Sequence, residues 1–70
     1  MEDSDIDIIE GRVIEALPST LFRVETAGGK VILSYLGGRM RIHKIKILVG
    51  DKVSVQIDPY GGKGRIIKRL

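Results

Sequence analysis

The chain has 70 residues, twelve Lys or Arg against nine Asp or Glu, a net charge of +3, one histidine and no cysteine. That length supports one small core and leaves little room for an enzyme that encloses its substrate. With no cysteine and only His43, the usual zinc and iron-sulfur ligand sets and all disulfide staples are excluded, so no cofactor or metal is expected.

The charge is arranged unevenly. Residues 1 to 10 hold five acids (Glu2, Asp3, Asp5, Asp7, Glu10) and no base, which leaves twelve bases against four acids, a net of +8, over residues 11 to 70. A basic body behind an acidic head points to a polyanionic partner, nucleic acid above all, with a merely solvated basic surface as the bland alternative. Residues 1 to 5 are expected to form a flexible acidic head and residues 6 to 70 a single domain. No apolar run approaches the roughly 18 residues that cross a bilayer, and the acidic start is unlike a signal peptide, so a soluble cytoplasmic protein is expected.

In chain order, "IDIIEGRVIEAL" carries five β-branched residues and Gly11, which favour strand over the helical spacing of Ile6, Ile9, Val13 and Leu17. Its alternation changes phase where Val13 and Ile14 adjoin, as in a long strand bent or bulged near Gly11 and able to serve two halves of a small barrel. "LPST" is a turn with Pro18 fixing φ. "LFRVET" alternates, with Phe22 and Val24 on the core face. "AGGK" closes a hairpin, and "KVILSYL", nearly all apolar, predicts a return strand buried on both faces. "KVSVQID" sends Val53, Val55 and Ile57 inward and Ser54, Gln56 and Asp58 outward. "PYGGKG" is a loop, and "RIIKRL" a short fifth strand.

Between the third and fourth strands lies "LGGRMRIHKIKI". Its bases fall on odd positions at Arg39 and Arg41 and on even positions at Lys44 and Lys46, so the phase flips at His43. A continuous strand would drive one basic pair into the core. A short helical turn after Gly37 and Gly38 resolves the conflict. Three strands, a short helix and two strands are the order of the OB-fold, an all-β, five-stranded Greek-key barrel that commonly binds oligonucleotides.

No catalytic constellation emerges. Five of nine acids lie in residues 1 to 10, Asp51 sits in a turn, and His43 stands alone among bases, where a plain polar contact outweighs a general base. "GGKG" lacks the spacing, the Ser or Thr and the helix of a phosphate loop. The basic set Arg39, Arg41, Lys44, Lys46, Lys63 and Arg65 is the candidate site, since mixed Arg and Lys suit structured RNA. The competing role for Lys44 and Lys46 is to protect a strand edge. Of the three aromatics, Phe22 reads as packing, and Tyr60, beside the glycine loop, is the better candidate for touching a base.

The ordered set "EGRVIEALP", "FRVE", "GRMR", "ILVGDKV" and "DPYGGKGRI" resembles the bacterial and plastid translation initiation factor 1 family over nearly the whole chain. The resemblance implies a monomeric, non-enzymatic OB-fold protein of the cytoplasm or plastid stroma. Such a protein binds the small ribosomal subunit at the aminoacyl-tRNA site, touches the decoding region of 16S rRNA and a neighbouring ribosomal protein, blocks premature tRNA entry and cooperates with the other initiation factors. By position, the family's rRNA contacts fall on Arg39, Arg41, Lys46 and Arg65, with Tyr60 in the adjoining loop. The chain departs from the family at Lys44, where many members carry an aromatic residue, and in a shortened "GGKG" loop around Lys63. Two other readings stand beside it. "GDKVSV" followed by "GGKGRI" loosely resembles the KOW motif of SH3-like RNA-binding barrels in ribosomal and transcription-associated proteins, and a protein-interaction barrel is a third possibility.

Overall fold

The computed structural model describes residues 7–57 and 62–70. Five strands and one short helix follow the order β1 (Asp7–Leu17), β2 (Leu21–Thr26), β3 (Val31–Leu36), α1 (Gly38–Ile42), β4 (Lys52–Ile57) and β5 (Gly64–Arg69). They close into a barrel in the order β1-β2-β3-β5-β4, the five-stranded OB-fold with its helical turn between the third and fourth strands.

β1 serves two neighbours. Its first half pairs antiparallel with β4 from Asp7↔Ile57 to Arg12↔Lys52. Its second half pairs with β2 from Gly11↔Thr26 to Leu17↔Leu21, with a register shift between Val13 and Glu15. Ile14 is the extra residue of this bulge, which explains why it stands 41% exposed beside the buried Val13. The bulge frees the Val13 main chain for a turn that precedes β4. The Val13 N–H donates to the Asp51 carbonyl (2.9 Å) and the Gly50 N–H to the Val13 carbonyl (2.7 Å). Asp51 Oδ2 in turn accepts from the Leu48 N–H at 2.8 Å.

Val13, Phe22, Val24, Met40, Ile47, Val53, Val55 and Ile66 form the buried core, with Ile9, Leu36, Ile45 and Ile57 packed against it. β3 is not buried on both faces as its composition predicts. Val31 is 43% and Leu33 36% exposed, because they stand on the outer surface opposite Glu25 and Arg23 of β2. The inner face of β3 carries Ser34, fully buried, whose hydroxyl donates to the Ile32 carbonyl at 3.3 Å. The small side chain there lets β3 approach β5 closely. Ser34 is the parallel partner of Gly64, and a Cβ on Gly64 would lie 2.9 Å from Ser34 Oγ and 2.5 Å from Val55 Cγ1.

The phase flip at His43 has a specific structural origin. After α1, the Lys44 N–H donates to the Arg41 carbonyl (3.1 Å) and the Ile45 N–H to the Met40 carbonyl (3.0 Å). That pair of bonds is the Schellman helix stop, and Lys44 takes its left-handed position at φ 53°. Beyond it no strand forms over residues 44 to 48. The chain nevertheless alternates as its sequence predicts, with Ile47 buried, Ile45 half-buried and Lys44 and Lys46 exposed. The strand-edge role for the two lysines therefore falls away.

Candidate nucleic-acid interface

The candidate interface is built on α1, the segment after it, and β5. Arg39 and Arg41 flank Met40, which is buried and fixes the rotation of the helix. Arg65 is held on β5 by its register partner Tyr35 on β3. Its guanidinium lies over the Tyr35 ring, 5.9 Å from the centroid, and Nε donates to the Tyr35 hydroxyl at 3.4 Å, a long hydrogen bond. Gly37 lets this arrangement pack. A Cβ there would meet the Ile66 carbonyl at 3.0 Å and the Arg65 side chain at 3.2 Å, while the Gly37 N–H donates to the Ile66 carbonyl at 2.9 Å.

Arg41 and Lys63 converge on a cleft of about 440 Å³ that Ser19, Leu21 and Tyr35 complete. The rim at the β1–β2 turn is conformationally costly. Ser19 and Thr20 both adopt left-handed backbone angles, φ 64° and 56°, which a β-branched residue such as Thr20 rarely does. Backbone strain of this kind collects at binding sites, where surrounding structure over-determines it.

Of the sequence-predicted residues, Arg41, Lys63 and Arg65 thus gather around Tyr35. Arg39 does not join them. It lines a different cleft. Lys44 occupies the helix stop, and Lys46 lends its carbonyl to Arg69 Nη1 at 3.0 Å while its own ammonium end stays exposed. Tyr60 lies outside the described residues, as do Asp58 and the acidic head. Tyr35 is the aromatic that sequence reasoning passes over, because only the β3–β5 pairing brings it beneath Arg65.

Electrostatics set this side of the barrel apart. The described acids with defined side chains sit on β1, β2 and the turn before β4, near bases: Glu15 pairs with Arg23 at 2.9 Å, and Glu10 and Glu25 share a groove with Arg12 and Lys52. None of them lines the clefts beside α1. Among the described residues no group of three or more His, Cys, Asp or Glu could hold a metal ion.

Comparison with known proteins agrees with this fold. The family described as "Translation initiation factor 1A / IF-1" matches residues 2–70. The solution structure of translation initiation factor 1 from the Wolbachia endosymbiont of Brugia malayi is 36% identical, with a TM-score of 0.82, over 99% of this chain and 83% of that one. Two larger proteins contain a similar barrel. YjeQ from Thermotoga maritima is 34% identical with a TM-score of 0.76, and YloQ, a circularly permuted GTPase, is 31% identical with a TM-score of 0.78. In both, the match spans 91% of this chain and only 23% of the other, so it is one module of a larger molecule. Sequence order, barrel topology and the near full-length match converge: this chain belongs to the translation initiation factor 1A / IF-1 family of non-enzymatic RNA-binding proteins.

Proposed function

We propose that this chain acts as a monomeric initiation factor that occupies the aminoacyl-tRNA site of the small ribosomal subunit, in bacterial cytoplasm or plastid stroma. There it would block premature tRNA entry and cooperate with the other initiation factors. Arg41, Lys63 and Arg65 supply one group of contacts to 16S rRNA, Arg39, Lys44 and Lys46 further ones, and Tyr60 stands in the adjoining loop. The observation that carries this reading is a basic surface around α1 and β5, with no acid among the described residues that line it, on a barrel of this family. Occupying a site asks for affinity and shape rather than for catalytic groups.

The test is co-sedimentation with isolated small subunits and displacement by a ligand of the aminoacyl-tRNA site. Each charge-assisted contact contributes about 1.5–3 kcal/mol, so Arg41→Glu with Lys63→Glu should weaken binding at least tenfold. The circular dichroism spectrum should stay β-rich. Undiminished binding of the double variant would refute the assignment.

A further inference from the structure

One edge of β3 is only partly covered. β3 pairs with β2 from Glu25↔Val31 to Leu21↔Tyr35, but with β5 only from Ser34 to Leu36. Among the described residues, the stretch from Val31 to Leu33 therefore has no strand beside it on the β5 side. Such an edge offers backbone donors and acceptors to an extended segment that comes alongside. A cleft of about 540 Å³ opens there, lined by Lys30, Val31, Leu33, Ile57 and Lys63 among others, with no acid in its described lining. Lys63 also lines the cleft of Arg41 and Tyr35, so the two clefts share one cation.

Residues 1–6, "MEDSDI", lie outside the described residues and lead into β1 at Asp7, whose register partner is Ile57 in the wall of this cleft. They hold Glu2, Asp3 and Asp5 and no Lys or Arg. From β1 to β3 by way of β4 and β5 is three strand steps, about 14 Å at roughly 4.8 Å each, whereas six extended residues span up to about 20 Å. The segment is long enough to reach. Chemistry also selects it over other occupants. The exposed parts of Val31 and Leu33 give an RNA phosphate nothing to bind, and a second copy would bring its own Lys30 and Lys63 against these. An acidic segment with Met1 and Ile6 at its ends suits both the cations and the apolar wall.

We propose that residues 1–6 fold back along the free edge of β3, with their carboxylates against Lys30 and Lys63, and so compete with RNA for Lys63. The competition rests on the RNA-binding reading above; the docking does not. Each exposed ion pair is weak, but attachment to β1 holds the acids near the lysines at a high effective concentration. A partner that engages many phosphates displaces the segment, whereas one that engages few is resisted. The device trades some affinity for selectivity.

The absence of cysteine makes the docking directly testable. Ser4→Cys keeps every acid and accepts a nitroxide label. At low salt, enhanced relaxation of the Lys30, Val31, Leu33 and Lys63 amides is expected, and it should vanish when Glu2→Gln, Asp3→Asn and Asp5→Asn are added. Enhancement confined to Ile8 and Ile57, or unaffected by the three neutral substitutions, would overturn the docking. So would enhancement transferred from labelled to unlabelled molecules in a mixture, the result if a second copy is the occupant. Co-sedimentation with small subunits reads the competition. The three neutral substitutions should tighten binding about two- to tenfold, and by much less in a Lys30→Gln background. No tightening, or equal tightening in both backgrounds as net charge alone would give, overturns the competition. Failure of the unsubstituted protein to bind the subunit would instead overturn the function proposed above, while the relaxation test of the docking stands apart from it.

Discussion

The structural role of Lys44 can be separated from its proposed contact with RNA. Its φ of 53° puts it at the helix-stop position where glycine is favoured, and a side chain there carries a left-handed penalty that glycine escapes. Lys44→Gly is expected to raise stability by about 0.5–1 kcal/mol, the left-handed penalty less glycine's greater chain entropy, measured as the midpoint of urea unfolding. If Lys44 also contacts phosphate, the same variant should bind small subunits more weakly while being the more stable protein. Sequence alone showed the phase flip but not the geometry that produces it. Alternation reveals that a chain must break, whereas a left-handed residue at the break is visible only in the backbone. The same limit hid the division of Arg39 from Arg41, because their separation depends on the rotation that Met40 imposes.

At the scale of elements, β5 is the strand with least tolerance. It completes the barrel between β3 and β4, buries Ile66 completely, and enters at Gly64, where β3 and β4 leave no space for a methyl group. Gly64→Ala should destabilise the fold by about 1–3 kcal/mol, and the same unfolding measurement checks it. On the order of 0.05–0.15 kcal/mol per residue stabilises a domain, so this is a large share of the total. All five strands were legible because β-branched runs and turn residues mark them locally. The exposure of Val31 and Leu33 was not legible, since an apolar run records composition and leaves open which face a neighbour covers. Nor was Tyr35 beneath Arg65, which depends on a parallel pairing between strands 30 positions apart.

For the whole molecule, charge acts in opposite directions on folding and on binding. The described Arg23–Glu15 pair is about half exposed and adds at most about 1 kcal/mol, whereas the bases around α1 and β5 gather with no acid among the described residues that line their clefts. Salt should therefore leave the unfolding midpoint unchanged or raise it slightly, by screening that repulsion. Subunit binding should fall steeply over the same range, by about 10³-fold or more between roughly 50 and 200 mM if six or more phosphates are engaged. Parallel unfolding and co-sedimentation series would check both trends. A complex indifferent to salt would favour the protein-interaction reading of the barrel.

The double pairing of β1 also dictates an order of assembly. Its second half meets β2 across a tight turn, Leu17 opposite Leu21, while its first half waits for a partner fifty positions away, Asp7 opposite Ile57. Closing a short loop costs far less chain entropy than closing a long one. The β1–β2–β3 meander can therefore form first, and the β1–β4 and β3–β5 seams complete the barrel late. Until those seams close, the bulge at Ile14 has no docked turn and α1 has no surface on which to rest, so the bases beside α1 take up their native spacing only as the barrel closes.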